Sequence, residues 1–164
     1  MHLPAEPAGR APAPSPAESV ASLNTHDTAT FAGWWRGADI DDRRDLGLIT
    51  DAQDADERVA RDRARMALLT FTRPEISDGD LTDVERAMVA ATADLAAGPA
   101  EVMLVALDDL ALDPVPHNVP GTTIQRPNWQ RWVEGWSDAL DDDHASPAAA
   151  AAIAAAVAAR PAPH

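Results

Sequence analysis

The chain has no cysteine, no tyrosine and only two phenylalanines in 164 residues. Without cysteine there is no disulfide, no zinc–thiolate site and no sulfur nucleophile. A cytoplasmic setting is the default for a chain that uses no disulfides. Positive charge is scarce: 13 basic residues face 27 acidic ones, a formal charge of −14. That balance argues against a nucleic-acid backbone or an anionic membrane as partner and suits a neutral or cationic ligand. No segment reaches the roughly 20 apolar residues of a membrane span, and the alanine run at 148–159 is too short and only mildly apolar. Met1 to Pro16 holds five prolines and four alanines but no apolar core of the length a signal peptide needs. The histidines at 2, 26, 117, 144 and 164 lack the spacing of zinc ligands. There is no glycine-rich phosphate loop and no nucleophile elbow. No metal and no cofactor is implied.

What is present reads as one domain with two ends. Residues 1–17 form a disordered Pro/Ala-rich leader, residues 18–140 the folded body, and residues 141–164 an alanine-rich tail helix. Ser19 to Asn24 read as a short strand. Thr28 is placed to cap a helix that runs through Trp35 and ends at Gly37. Residues 38–54 are acidic and read as irregular. A helix over Ala55 to Leu69 shows Val59, Met66 and Leu69 on one face. Thr82-Asp83-Val84-Glu85 is a capping box for a helix whose apolar residues are Leu81, Val84, Met88, Ala91 and Leu95. The near-continuous apolar run Glu101 to Leu107 fits a buried parallel strand. A long loop over 112–128 carries four prolines. Trp129, Trp132, Val133, Trp136 and Leu140 then fall at helical spacing. Asp141 to His144 is a solvated break, and a last helix is anchored by Ile153 and Val157. The order β-α-β-α makes the class α/β with parallel strands. Two strands do not make a stable sheet alone.

Four groups could carry chemistry. His26–Asp27 follows the first strand: Asp27 either points into an active-site mouth or caps the next helix. Asp108–Asp109 closes the second strand. It could hold a ligand, but a helix cap or a solvated turn is the favoured reading. In the long loop, Gly121 permits a tight turn while Asn118, Thr122 and Asn128 offer hydrogen bonds. The tryptophans could stack on the C–H faces of hexoses, although helical spacing favours core packing for Trp129, Trp132 and Trp136. Trp34 and Trp35 point in different directions, so at most one faces a ligand.

At these residues the chain resembles the C-terminal part of the 4-α-glucanotransferases, also called amylomaltases or disproportionating enzymes. The resemblance lies in Ser19 to Thr28, including Asn24-Thr25-His26-Asp27, and in Ala32-Gly33-Trp34-Trp35-Arg36-Gly37. It resumes at Asp109-Leu110, Asn118-Val119-Pro120-Gly121-Thr122-Thr123 and Pro127-Asn128-Trp129, and spans about residues 18–136. It implies the last part of an α-amylase-type (β/α)8 TIM barrel, about strands 7–8 with their helices, hence an incomplete barrel. It also implies transfer of α-1,4-glucan segments between malto-oligosaccharides by a retaining double displacement. By motif, Asp27 matches the carboxylate that stabilises the transition state and His26 its hydroxyl-binding neighbour. Trp34, Asn118, Gly121, Thr122 and Asn128 become expected substrate contacts. The nucleophile and the acid/base belong to earlier strands in that family, and residues 1–17 hold a single acid, Glu6. The expected partners are therefore α-1,4-glucans and an upstream-encoded remainder of the barrel. An inactive carbohydrate-binding or remnant fragment and an α-amylase-type hydrolase are the alternatives.

Overall fold

The computed structural model of the chain describes residues 15–70, 81–132 and 147–160. Their order is β1 (Val20–Ser22), α1 (Phe31–Arg36), α2 (Ala38–Asp45), α3 (Asp51–Thr70), α4 (Asp83–Ala96), β2 (Val102–Leu104), α5 (Leu107–Leu110) and α6 (Pro147–Ala159). The strands pair in parallel, with Val20 opposite Val102, Ala21 opposite Met103 and Ser22 opposite Leu104. Both are shorter than their apolar runs. β2 also departs from the expected burial, because Val102 and Leu104 are exposed while Met103 packs on the core. A run apolar on both faces encodes a strand covered on both sides. In a two-stranded sheet, only one side of β2 is covered among the described residues.

The core is built around α4. Its capping box is formed: the Glu85 carboxylate accepts from the Thr82 backbone N–H and hydroxyl, each at 2.7 Å. Met88, Ala91 and Leu95 are buried, with Leu81 and Val84 packed beside them, so the helical spacing read from sequence marks the core face. Phe31 from α1, Leu68 from α3 and Ala21 from β1 join the same cluster. The tail helix α6 docks through Ala152 and Ala156, whereas the expected anchors Ile153 and Val157 face outward. Alanines four residues apart share one helix face, and their small side chains bring the helix close to its neighbour. Arg160 ties the end of α6 to the start of β2 by donating to the carbonyl of Ala100 at 3.0 Å.

Three segments differ from the sequence reading. Residues 38–54 are irregular only at 46–50: the rest holds α2 and the start of α3. Acids and arginines pair across α2 and α3. Arg61 makes a two-pronged contact with Asp39, both distances 2.8 Å, Arg58 reaches Asp41 at 2.5 Å, and Arg43 pairs with Glu57. Consequently α3 meets α2 largely through guanidinium forks, while Val59 and Met66 lie exposed. Trp129 to Trp132 do not begin a helix. Trp129 has left-handed backbone at φ 59°, and Trp132 is 91% exposed, so neither is core. Val133, Trp136, Leu140 and the expected break at 141–144 lie outside the described residues, as does the leader up to residue 14.

Candidate functional site

The turn after β1 presents the His-Asp pair. Thr28 Oγ1 donates to the Thr25 carbonyl at 2.9 Å and accepts from the Thr25 N–H at 3.0 Å, closing residues 25–28 on themselves. Thr30, not Thr28 or Asp27, caps α1: its hydroxyl accepts from Gly33 N–H at 3.1 Å. Asp27 is thereby released from the capping role and stands half-exposed, 3.2 Å from His26 Nε2. The long loop brings its partner: Asn118 Nδ2 donates to Asp27 Oδ1 at 2.6 Å.

The loop is seated on α1 at its start. The Thr30 hydroxyl donates to the carbonyl of Asp113 at 2.5 Å. A Cβ on Gly33 would collide with the backbone carbonyl of Pro114, so only glycine allows this approach. The buried Asp113 carboxylate accepts from Val115 N–H at 3.0 Å and from Arg131 at 2.8 Å. Farther on, Asn128 Oδ1 accepts from Val119 N–H at 3.0 Å, and Asn128 Nδ2 donates to the Thr122 carbonyl at 3.0 Å. The Thr122 hydroxyl donates to Val119 at 2.7 Å. Gly121 sits at φ 83°, in the left-handed region that makes glycine the favoured residue.

These elements enclose a groove of about 790 Å³. Asp27, Asn118 and Asn128 line it, with Val115, Pro116 and Arg126 among the other walls. Of the residues expected from sequence, these three are brought together, while His26 does not line the groove but lies beside Asp27. Gly121 and Thr122 shape the turn behind the wall and do not line the groove. Trp34 lies elsewhere, against Phe31 and under the Arg61 guanidinium, 4.6 Å from its ring centre. Arg126 closes one side and is held firmly protonated, chiefly by its hydrogen bond to Asp45 and next by that to Asp42.

Asp109 is the main residue that sequence reasoning misplaced. It is neither a solvated turn residue nor a cap for its own helix: it is 1% exposed. Its Oδ1 accepts from Asn24 Nδ2 and from the Phe31 N–H, both at 2.7 Å. Asn24 and Phe31 flank the His26–Asp27 turn, so one buried carboxylate clamps both ends of it. Burial pushes this carboxyl up to about 6, against the lowering effect of the bonds from Phe31 and Asn24, with Asp108 adding a smaller upward push. The available signal was an acid set directly after an apolar strand. Trp129, for which helical spacing favoured core packing, is instead exposed and stands between the rings of His26 and His117. Gly33 carried no signal beyond its place in the motif, because a close backbone approach leaves no local pattern.

A profile described as 4-alpha-glucanotransferase matches residues 3–136, reaching into the segment read as a leader. The chain is 35% identical over 128 residues to the 4-alpha-glucanotransferases of Mycobacterium tuberculosis and Mycobacterium bovis. Each match covers 74% of this chain and 18% of the relative, so the chain spans less than a fifth of the length of these curated relatives. With most of its length inside the family profile, the chain belongs to the 4-alpha-glucanotransferase family.

Proposed function

We infer that the groove binds α-1,4-glucan and serves the transfer of glucan segments between malto-oligosaccharides by a retaining double displacement. In this reading, Asp27 accepts hydrogen bonds from sugar hydroxyls at the reacting ring. Such bonds strengthen as the ring becomes oxocarbenium-like. His26 offers a second hydroxyl contact, and the 114–128 loop receives the acceptor side of the chain. The observation that carries the reading is the Asn118–Asp27 bond at 2.6 Å. It joins the two motifs, 91 residues apart, in one wall and fixes the carboxylate toward the groove. The parallel β1–β2 pair supports a place for this segment in a (β/α)8 barrel. The absence of cysteine supports a cytoplasmic location.

Retaining chemistry needs two carboxyl groups about 5 Å apart, one as nucleophile and one as acid and base. Three carboxylates line the groove among the described residues: Asp27, Asp39 and Asp42. Asp39 is held by Arg61 and Asp42 by Arg126. Neither is free to attack a sugar carbon or deliver a proton. This favours binding without turnover for the polypeptide on its own. Incubated with maltotriose, it should release no glucose and form no longer maltodextrins, yet bind the sugar. Asp27→Ala should weaken binding by about tenfold, roughly the 1.4 kcal/mol of one charge-assisted hydrogen bond. Disproportionation by the pure chain would refute the binding-only reading. Release of glucose with no longer products would point to a hydrolase.

A further inference from the structure

We propose that Trp129 is a stacking platform for one glucose ring of the bound glucan, next to the ring held by Asp27. The proposal rests on the glucan-binding reading and adds a subsite to it. Trp129 is 63% exposed, and its neighbours Asn128 and Gln130 line the groove. Its backbone adopts φ 59°, a conformation that costs a bulky residue free energy and persists where surroundings impose it. One imposing contact is visible: its N–H donates to the carbonyl of His117 at 2.8 Å. The indole is also flanked by two imidazole rings. The His117 ring stacks on it at 6.3 Å with planes 17° apart, and the His26 ring meets it at 5.4 Å and 48°. Each histidine is held in turn by a carboxylate, His117 by Asp108 at 3.1 Å and His26 by Asp27 at 3.2 Å.

An aromatic ring left in water yet held still has already lost the freedom that binding would otherwise take from it. Its apolar face matches the C–H face of a pyranose, while the hydroxyl edge of a neighbouring ring reaches Asp27 and His26. His26 connects the two parts directly, since it touches both Asp27 and Trp129.

The test is titration of the full chain with maltotriose and maltoheptaose, using Trp129→Ala, Trp129→Phe, Trp132→Ala and Asp27→Ala. Trp129→Ala should weaken maltoheptaose binding at least fivefold, Trp129→Phe by less, and Trp132→Ala not measurably. In nitrogen-15 spectra, the Trp129 indole signal, identified by its loss in Trp129→Phe, should shift on sugar addition. This readout needs no folded alanine variant. If Asp27→Ala weakens binding while Trp129→Ala does not and the indole signal stays in place, the platform is overturned and the groove reading survives. If neither sugar binds the unaltered chain, both fall together.

Discussion

Gly33→Ala is expected to destabilise the chain by about 2 kcal/mol, the opposite of its effect in an ordinary helix. Alanine exceeds glycine in helix propensity by about 1 kcal/mol, and it also restricts the unfolded chain. In α1, however, the added methyl meets the backbone oxygen of Pro114 and comes within 3.0 Å of Thr30 Oγ1. The Pro114 carbonyl is not a flexible side-chain end that can swing aside. Overpacking of this kind typically costs about 1–3 kcal/mol, occasionally more. Relief requires moving the loop off α1, which breaks the Thr30–Asp113 bond and shifts Pro114, Val115 and Pro116 in the groove wall. A fall of roughly 5–10 °C in Tm follows for a domain of this size, together with weaker sugar binding. A variant that melts higher and binds equally would show that the loop is not seated on α1.

Substitutions of Asp109 should separate its hydrogen bonds from its charge. The folded-state value of about 6 lies above the ordinary 3.8. The folded chain therefore binds more protons than the unfolded chain between about pH 4 and pH 6. Stability from this group is complete below pH 4, declines as pH rises through that window, and is level above it. The gap corresponds to roughly 3 kcal/mol. Asp109→Asn keeps an oxygen for Asn24 and Phe31 but carries no charge to desolvate. It should be at least as stable as the parent at pH 7, and the difference between the two should vanish near pH 4. Asp109→Leu leaves the Asn24 amide and the Phe31 N–H without their acceptor. Buried donors so stranded cost about 1–3 kcal/mol each. It should melt well below the parent at every pH and weaken maltotriose binding through the displaced His26–Asp27 turn. Denaturant melts of the three proteins at pH 4 and pH 7 decide the matter. Equal melting of Asn and Leu variants would dismiss the clamp.

The capping box at Thr82, the core face of α4 and the stop at Gly37 were legible in sequence, because each depends on residues within one helical turn. The His26–Asp27 and Asn118 motifs were legible too, as residue types at known positions. Their mutual contact was not, since 91 residues separate Asn118 from Asp27 and nothing local records a partner so distant. The choice of cap shows the same limit at short range. Thr28 and Thr30 are both good N-cap residues, and the decision for Thr30 came from its second bond, to the Asp113 carbonyl at the start of the loop.

The amino-acid sequence by itself determined the family, the α/β order of the elements, and the polar motifs at His26–Asp27 and in the 118–128 loop. Only the tertiary structure decided which acids are free. The stretch 38–45 looks irregular because its aspartates repel one another, and it folds as helix where arginines of α3, and Arg126 from the loop, neutralise them. The sequence contains no lysine, so all 13 basic residues are arginine, whose planar fork engages carboxylates two-pronged. Asp39 and Asp42 are thus bound by arginines, Asp109 is buried as a clamp, and Asp27 faces the groove. Burial and pairing arise from residues distant in sequence, so local pattern could single out Asp27 by its motif but could not show that Asp109 is buried or that Asp39 and Asp42 are paired.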